Sequence, residues 1–144
     1  MQRTLDRVGM LLALGCALHC LMVPVMFALL PGLVLALHSF QDPLRPLAIG
    51  LLRLQALEGW LVAVALAWAA AALVLGWRRH RRLLPGGLAL LGAGSFLLAL
   101  SRLFPGRWLH AGLLALGGVL LALAHWSNLR AFDRRPGRPQ GAPT

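Results

Sequence analysis

Charge is scarce in these 144 residues. Only 12% are charged; 14 are arginine, none is lysine, and the acids number four, Asp6, Asp42, Glu58 and Asp133. A typical soluble domain carries about 25% charged residues to keep its surface in water. With 59% hydrophobic content and a mean hydropathy of +0.75, a soluble globular fold is excluded. Cysteine is equally scarce, with Cys16 and Cys20 alone. Residues four apart on a helix are awkwardly placed for a disulfide, which argues against a structural staple. The acids are not paired within any apolar run, and Ser39, Ser95, Ser101 and Ser127 have no identifiable base and carboxylate, so the chain does not read as an enzyme.

What is present in quantity is leucine, 38 residues, and alanine, 22. Four apolar runs are long enough to cross a bilayer, which takes about 20 residues per helix. They cover about 8–30, 60–77, 83–100 and 108–126, and Leu33 to Leu37, beyond the Pro31-Gly32 breaker, is expected at the outer interface. Tryptophans 60, 77, 108 and 126 bracket the second and fourth runs in the manner of interfacial belts. Backbone polar groups cannot be left bare in lipid, and the runs lack the alternation of barrel strands. The expected fold is therefore all-α, a four-transmembrane-helix bundle in residues 1–130, followed by a disordered tail over 131–144. Gly92, Gly94, Gly112, Gly117 and Gly118 read as packing positions.

The arginines lie in short clusters between the runs, a distribution that orients a membrane protein and does not track a phosphate backbone, so nucleic acid is not an expected partner. Ten fall at the N-terminus, in the loop after the second run and in the tail; four fall in the other two loops. That excess places both termini in the cytoplasm.

Ionisable or nucleophilic groups inside hydrocarbon are costly, so function is sought there. Cys16, His19 and Cys20 fall on adjacent turns of the first run, a compact soft-donor cluster. Counted from Val8, the sulfurs lie ~12 and ~18 Å deep. Pro24 has no N–H for the Cys20 carbonyl and is expected to kink the helix beside the pair. A thiol in apolar surroundings is inert until a metal displaces its proton, and thiolate pairs prefer soft ions such as Cu(I) and Hg(II). Buried cysteines also simply pack. His125 near the end of the fourth run reads as a second ligand station or an interfacial imidazole, and Asn128 as a helix-end cap. His38 and His110 fall at the outer side, where they are candidates to collect a metal.

The string Leu5-Asp6-Arg7-Val8-Gly9, then Cys16-Ala17-Leu18-His19-Cys20 and Pro24, resembles the opening of the MerC family of mercury-resistance membrane proteins. His125-Trp126-Ser127-Asn128-Leu129-Arg130 is similar to the His-x-x-Asn-Leu-Arg signature closing that family's fourth helix. The resemblance implies a four-span bacterial inner-membrane protein that carries mercuric ion inward, with the first-helix pair, here Cys16 and Cys20, implicated in transport. The best-known mercury members carry a further cysteine pair after the fourth helix. Here no cysteine follows Asn128-Leu129-Arg130, so handover to a mercuric reductase through tail thiols is not expected.

The leading expectation is a carrier that binds Hg(II) at Cys16 and Cys20, with His19 taking a proton or adding a weak third bond and His125 assisting near the exit. Its partners are the bilayer, the ion, and cytoplasmic thiols or a reductase; no cofactor is held permanently. The alternatives are a non-transporting metal-binding, sensor or scaffold protein, a membrane thiol oxidoreductase, and haem ligation through His19 and His125.

Overall fold

The computed structural model describes residues 2–81, 83–101, 103 and 106–133. They form six helices and, among the described residues, no strand: α1 (Gln2–Leu29), α2 (Pro31–Ala36), α3 (Arg45–Ala56), α4 (Glu58–His80), α5 (Leu83–Leu100) and α6 (Arg107–Asp133). Four stretches are long and apolar enough to cross a membrane, Gln2–Leu29, Arg45–Arg78, Leu83–Leu100 and Arg107–Ala131. The protein is thus an all-helical, multi-pass membrane bundle. The expected tail begins in helix, since α6 runs on to Asp133; residues 134–144 lie outside the described residues.

Two helices occupy what reads as a loop. Pro31 opens α2, and Pro46 sits in the first turn of α3, where a missing N–H costs nothing. Leu33 is buried against Ala48 and Leu51 of α3. The reason is that α3 has an apolar face of its own, which the arginines at 45 and 53 obscure in the sequence.

Small residues let the main helices approach closely. A Cβ on Gly118 of α6 would come within 2.6 Å of the Ala13 carbonyl oxygen and 2.7 Å of the Ala17 Cβ on α1; one on Gly117 would come within 2.9 Å of the Phe96 ring on α5. Gly92 faces Gly117 in the same contact. Gly94 and Gly112 have open space around them and are not packing positions.

At the end of the bundle where α1 begins and α6 ends, polar residues replace this packing. Asp6 is wholly buried in α1, and its carboxylate accepts from three side chains. His125 Nδ1 lies 3.1 Å from Oδ1, and Oδ2 receives Asn128 Nδ2 at 2.8 Å and Gln2 Nε2 at 3.3 Å. Gln2 Nε2 also donates to the Ala72 carbonyl of α4 at 2.9 Å, and Trp68 Nε1 of α4 donates to the Leu5 carbonyl at 3.0 Å. Glycines make room for the cluster: a Cβ on Gly9 would land on the His125 ring, and one on Gly76 on the Asn128 amide.

Two substitutions therefore separate this lock from ordinary helix propensity. Gly9→Ala should destabilise by about 2 kcal/mol through overpacking, whereas Gly15→Ala, which has nothing within 4 Å, should stabilise by up to about 1 kcal/mol. Asp6→Ala, which strands buried donors, should cost about 3 kcal/mol. Thermal unfolding of the detergent-solubilised protein, followed by circular dichroism, reads all three.

Candidate metal site

The sulfurs of Cys16 and Cys20 are 4.0 Å apart and unbonded to each other, on the buried face of α1. That face is set by helical geometry, since positions four apart stack on one side. They belong to the same core cluster as Val62 of α4, Phe96 of α5 and Leu114 of α6. Cys20 lies nine residues, about 14 Å, from the end of α1 at Leu29, in the half of the bundle away from the termini.

A cavity of about 550 Å³ opens beside the pair. Cys20 and Pro24 line it, and its polar wall is His19, Gln55, Glu58, Arg107 and His110; Cys16 does not line it. α1 remains helical through Pro24, which has no N–H to offer the Cys20 carbonyl. α4 begins at Glu58 and α6 at Arg107, so the cavity is walled by helix ends on two sides. Gly106, with φ of +142°, makes the turn that brings Arg107 and His110 to it.

His19 does not complete a three-donor set with the sulfurs. Adjacent helical residues point about 100° apart, so with Cys20 turned into the bundle His19 turns toward α3. Its Nε2 lies 3.1 Å from the Leu54 carbonyl oxygen. A carbonyl only accepts, so Nε2 carries a hydrogen, and in the neutral tautomer this leaves the lone pair on Nδ1. Among the described residues no three His, Cys, Asp or Glu side chains are arranged to hold one metal ion.

The pair that sequence reasoning missed is Glu58 and His110. His110 Nδ1 donates to the Ala99 carbonyl at 3.0 Å, and Nε2 meets Glu58 Oε1 at 2.8 Å. With Nδ1 already carrying its hydrogen, the second contact requires one further proton between nitrogen and carboxyl oxygen. The pair is net neutral whichever atom holds that proton, which lowers the cost of burying Glu58. The usable signal was positional: an acid opening the second span and a histidine near the start of the fourth belong at the same end of the bundle.

His125 and Asn128 lie elsewhere. His125 packs on Gly9, seven residues or about 10 Å along α1 from Cys16, and its Nδ1 is engaged by Asp6. The structure does not bring it to the sulfurs, nor to His19 as haem ligation would need. Asn128 is buried against Asp6 with α6 continuing beyond it, so it caps nothing. Arg130 stacks on Trp126, its guanidinium carbon 3.7 Å from the ring centroid. His38 bonds the Val34 carbonyl of its own segment at 3.0 Å.

A family model described as the MerC mercury resistance protein matches residues 6–130, nearly the whole chain. The chain belongs to the MerC family. It is accordingly a membrane protein of a mercury-resistance, transport-type family and not of an enzyme family. The curated proteins and the solved structures compared with the chain contained no significant match. The two motifs at the ends of the MerC region have a structural meaning here, since Asp6 and Gly9 of the first meet His125 and Asn128 of the last.

The difference between the two cysteines is measurable. In a Cys16→Ala protein, Cys20 should react with a water-soluble maleimide several-fold faster than Cys16 does in a Cys20→Ala protein. Equal rates would mean that the cavity does not give water access to one sulfur ahead of the other.

Proposed function

We propose that the protein carries Hg(II) across the inner membrane into the cytoplasm through the Cys16–Cys20 pair. The observation that carries this reading is a buried sulfur pair, 4.0 Å apart, with one member facing a polar cavity. The ion arrives with two labile anionic ligands. The Cys20 thiol displaces the first, its sulfur bonding the metal as its proton leaves with the anion or on a nearby base. The Cys16 thiol displaces the second in the same way. The product is a net neutral dithiolate, far less costly to bury than a bare divalent ion.

Metal–sulfur bonds of about 2.3 Å would set the sulfurs about 4.6 Å apart in a linear complex, a small opening from the resting separation. His19, through Nδ1, is the nearest candidate base along the chain; the Glu58–His110 pair keeps the cavity polar without a net charge that would hold the ion there. Release requires exchange with a cytoplasmic thiol, since tight binding to the pair alone would trap the ion. The ten-to-four arginine excess supports cytoplasmic termini, which puts the cavity on the periplasmic side.

Uptake of Hg(II) by cells expressing the protein should be lost in Cys16→Ala and in Cys20→Ala at equal membrane abundance. His125→Gln, normalised to folded protein, should retain it, because His125 serves the helix lock. Uptake unchanged in both cysteine variants would overturn the carrier. Binding of Hg(II) to purified protein without flux would instead favour a non-transporting metal-binding protein.

A further inference from the structure

A second concave site lies between α4 and α5, and neither cysteine lines it. It is a groove of about 570 Å³ whose lining, among the described residues, is apolar throughout, with Leu121 of α6 included. On α4 it runs from Leu66 to Trp77 and on α5 from Leu83 to Ala93. Eleven residues at 1.5 Å make about 16 Å, close to one leaflet of a hydrocarbon core about 30 Å thick. Glycine keeps the α5 wall low: a Cβ at Gly86 or Gly87 would meet nothing within 4 Å.

One end of the groove meets the loop that joins its two walls. The sequence there, Arg78-Arg79-His80 at the end of α4 and then Arg81-Arg82, holds four arginines in five residues, and Arg78 and Arg81 are exposed. Trp77, also exposed, sits at the same level, where an indole marks the headgroup layer. Apolar along one leaflet and cationic at its mouth, the groove matches a lipid with an anionic head. A second copy of the chain is the poorer occupant, because a two-fold contact through this face would set two such loops against each other.

We propose that the α4–α5 groove binds one anionic phospholipid, an acyl chain lying along it and the phosphate paired with Arg78 and Arg81. The site is independent of which ion the protein carries. Basic pockets between membrane helices at the cytoplasmic side bind anionic headgroups in this way, each arginine strengthening the attraction.

Native mass spectrometry of the full chain in detergent, titrated with dioleoyl phosphatidylglycerol or dioleoyl phosphatidylcholine, tests it. The wild type should bind phosphatidylglycerol about tenfold more tightly, and Arg78→Gln with Arg81→Gln should abolish that preference. Ala70→Phe, which fills the groove from an exposed position on α4, should weaken both lipids while the preference persists. Arg53→Gln at the other end of the bundle should change nothing. Equal affinity for the two lipids would overturn the proposal, as would an effect of Arg53→Gln equal to that of the double variant. So would indifference to Ala70→Phe, or a dimer in place of bound lipid.

Discussion

A carboxylate with no water around it must be satisfied by the protein, and Asp6 meets that demand by gathering three helices. Its oxygens take His125 and Asn128 from α6 and Gln2 from its own helix, while Gln2 also reaches the α4 backbone. In a bilayer the hydrophobic effect does not sort helix against helix, because lipid is as apolar as leucine. Leucine-rich surfaces can slide or rotate against each other at little cost. A buried carboxylate with fixed partners cannot, since any other register leaves it unpaired. The register of α1 against α6 follows from this one group, and so does the placing of Gly118 against Ala13 and Ala17 further along.

That register also decides what lies at the far end. With α1 held against α6, Cys16 and Cys20 fall into the core beside Leu114, and the starts of α4 and α6 bring Glu58 and His110 to the cavity that Cys20 lines. Polar chemistry is thus split between two ends of one bundle. At one end the groups are mutually saturated and hold helices together. At the other the Glu58–His110 pair is satisfied, but among the described residues the two thiols have only each other at 4.0 Å, and a thiol is a weak hydrogen-bonding partner. The groups with least to lose by taking a new partner are the sulfurs.

The spans were legible because hydrophobic length is a local property: α5, Leu83–Leu100, is bounded by proline, glycine and arginine that can be read one residue at a time. The cysteine pair was legible for the same reason, since four residues on a helix fix a face. The contacts that were not legible join residues distant in sequence. Asp6 and His125 are 119 apart, and Glu58 and His110 are 52 apart. His125 and Cys16 looked alike in the sequence, each a reactive group in an apolar run. Only the antiparallel pairing of α1 and α6 separates a structural imidazole from an available sulfur. The helix α3 was missed for a different reason: two arginines in twelve residues read as loop charge, although the same segment has an apolar face that buries Ala48 and Leu51.

The poverty of the site in donors bears on which ion it suits. Zinc takes four ligands in a structural site and three plus water in a catalytic one, and no such set of His, Cys, Asp or Glu converges among the described residues. Two sulfurs alone serve ions content with two ligands, and the soft candidates are monovalent copper and divalent mercury. Charge separates them. Two thiolates around a monovalent ion leave a net negative charge within the apolar core of Val62, Phe96 and Leu114, whereas around a divalent ion they leave none. Desolvating a net charge in such surroundings is expensive, and Arg107, the one arginine on the cavity wall among the described residues, is itself exposed. On the proposed reading, the apolar setting of the pair would act as a charge filter as well as a shelter, favouring a two-coordinate divalent ion over a two-coordinate monovalent one.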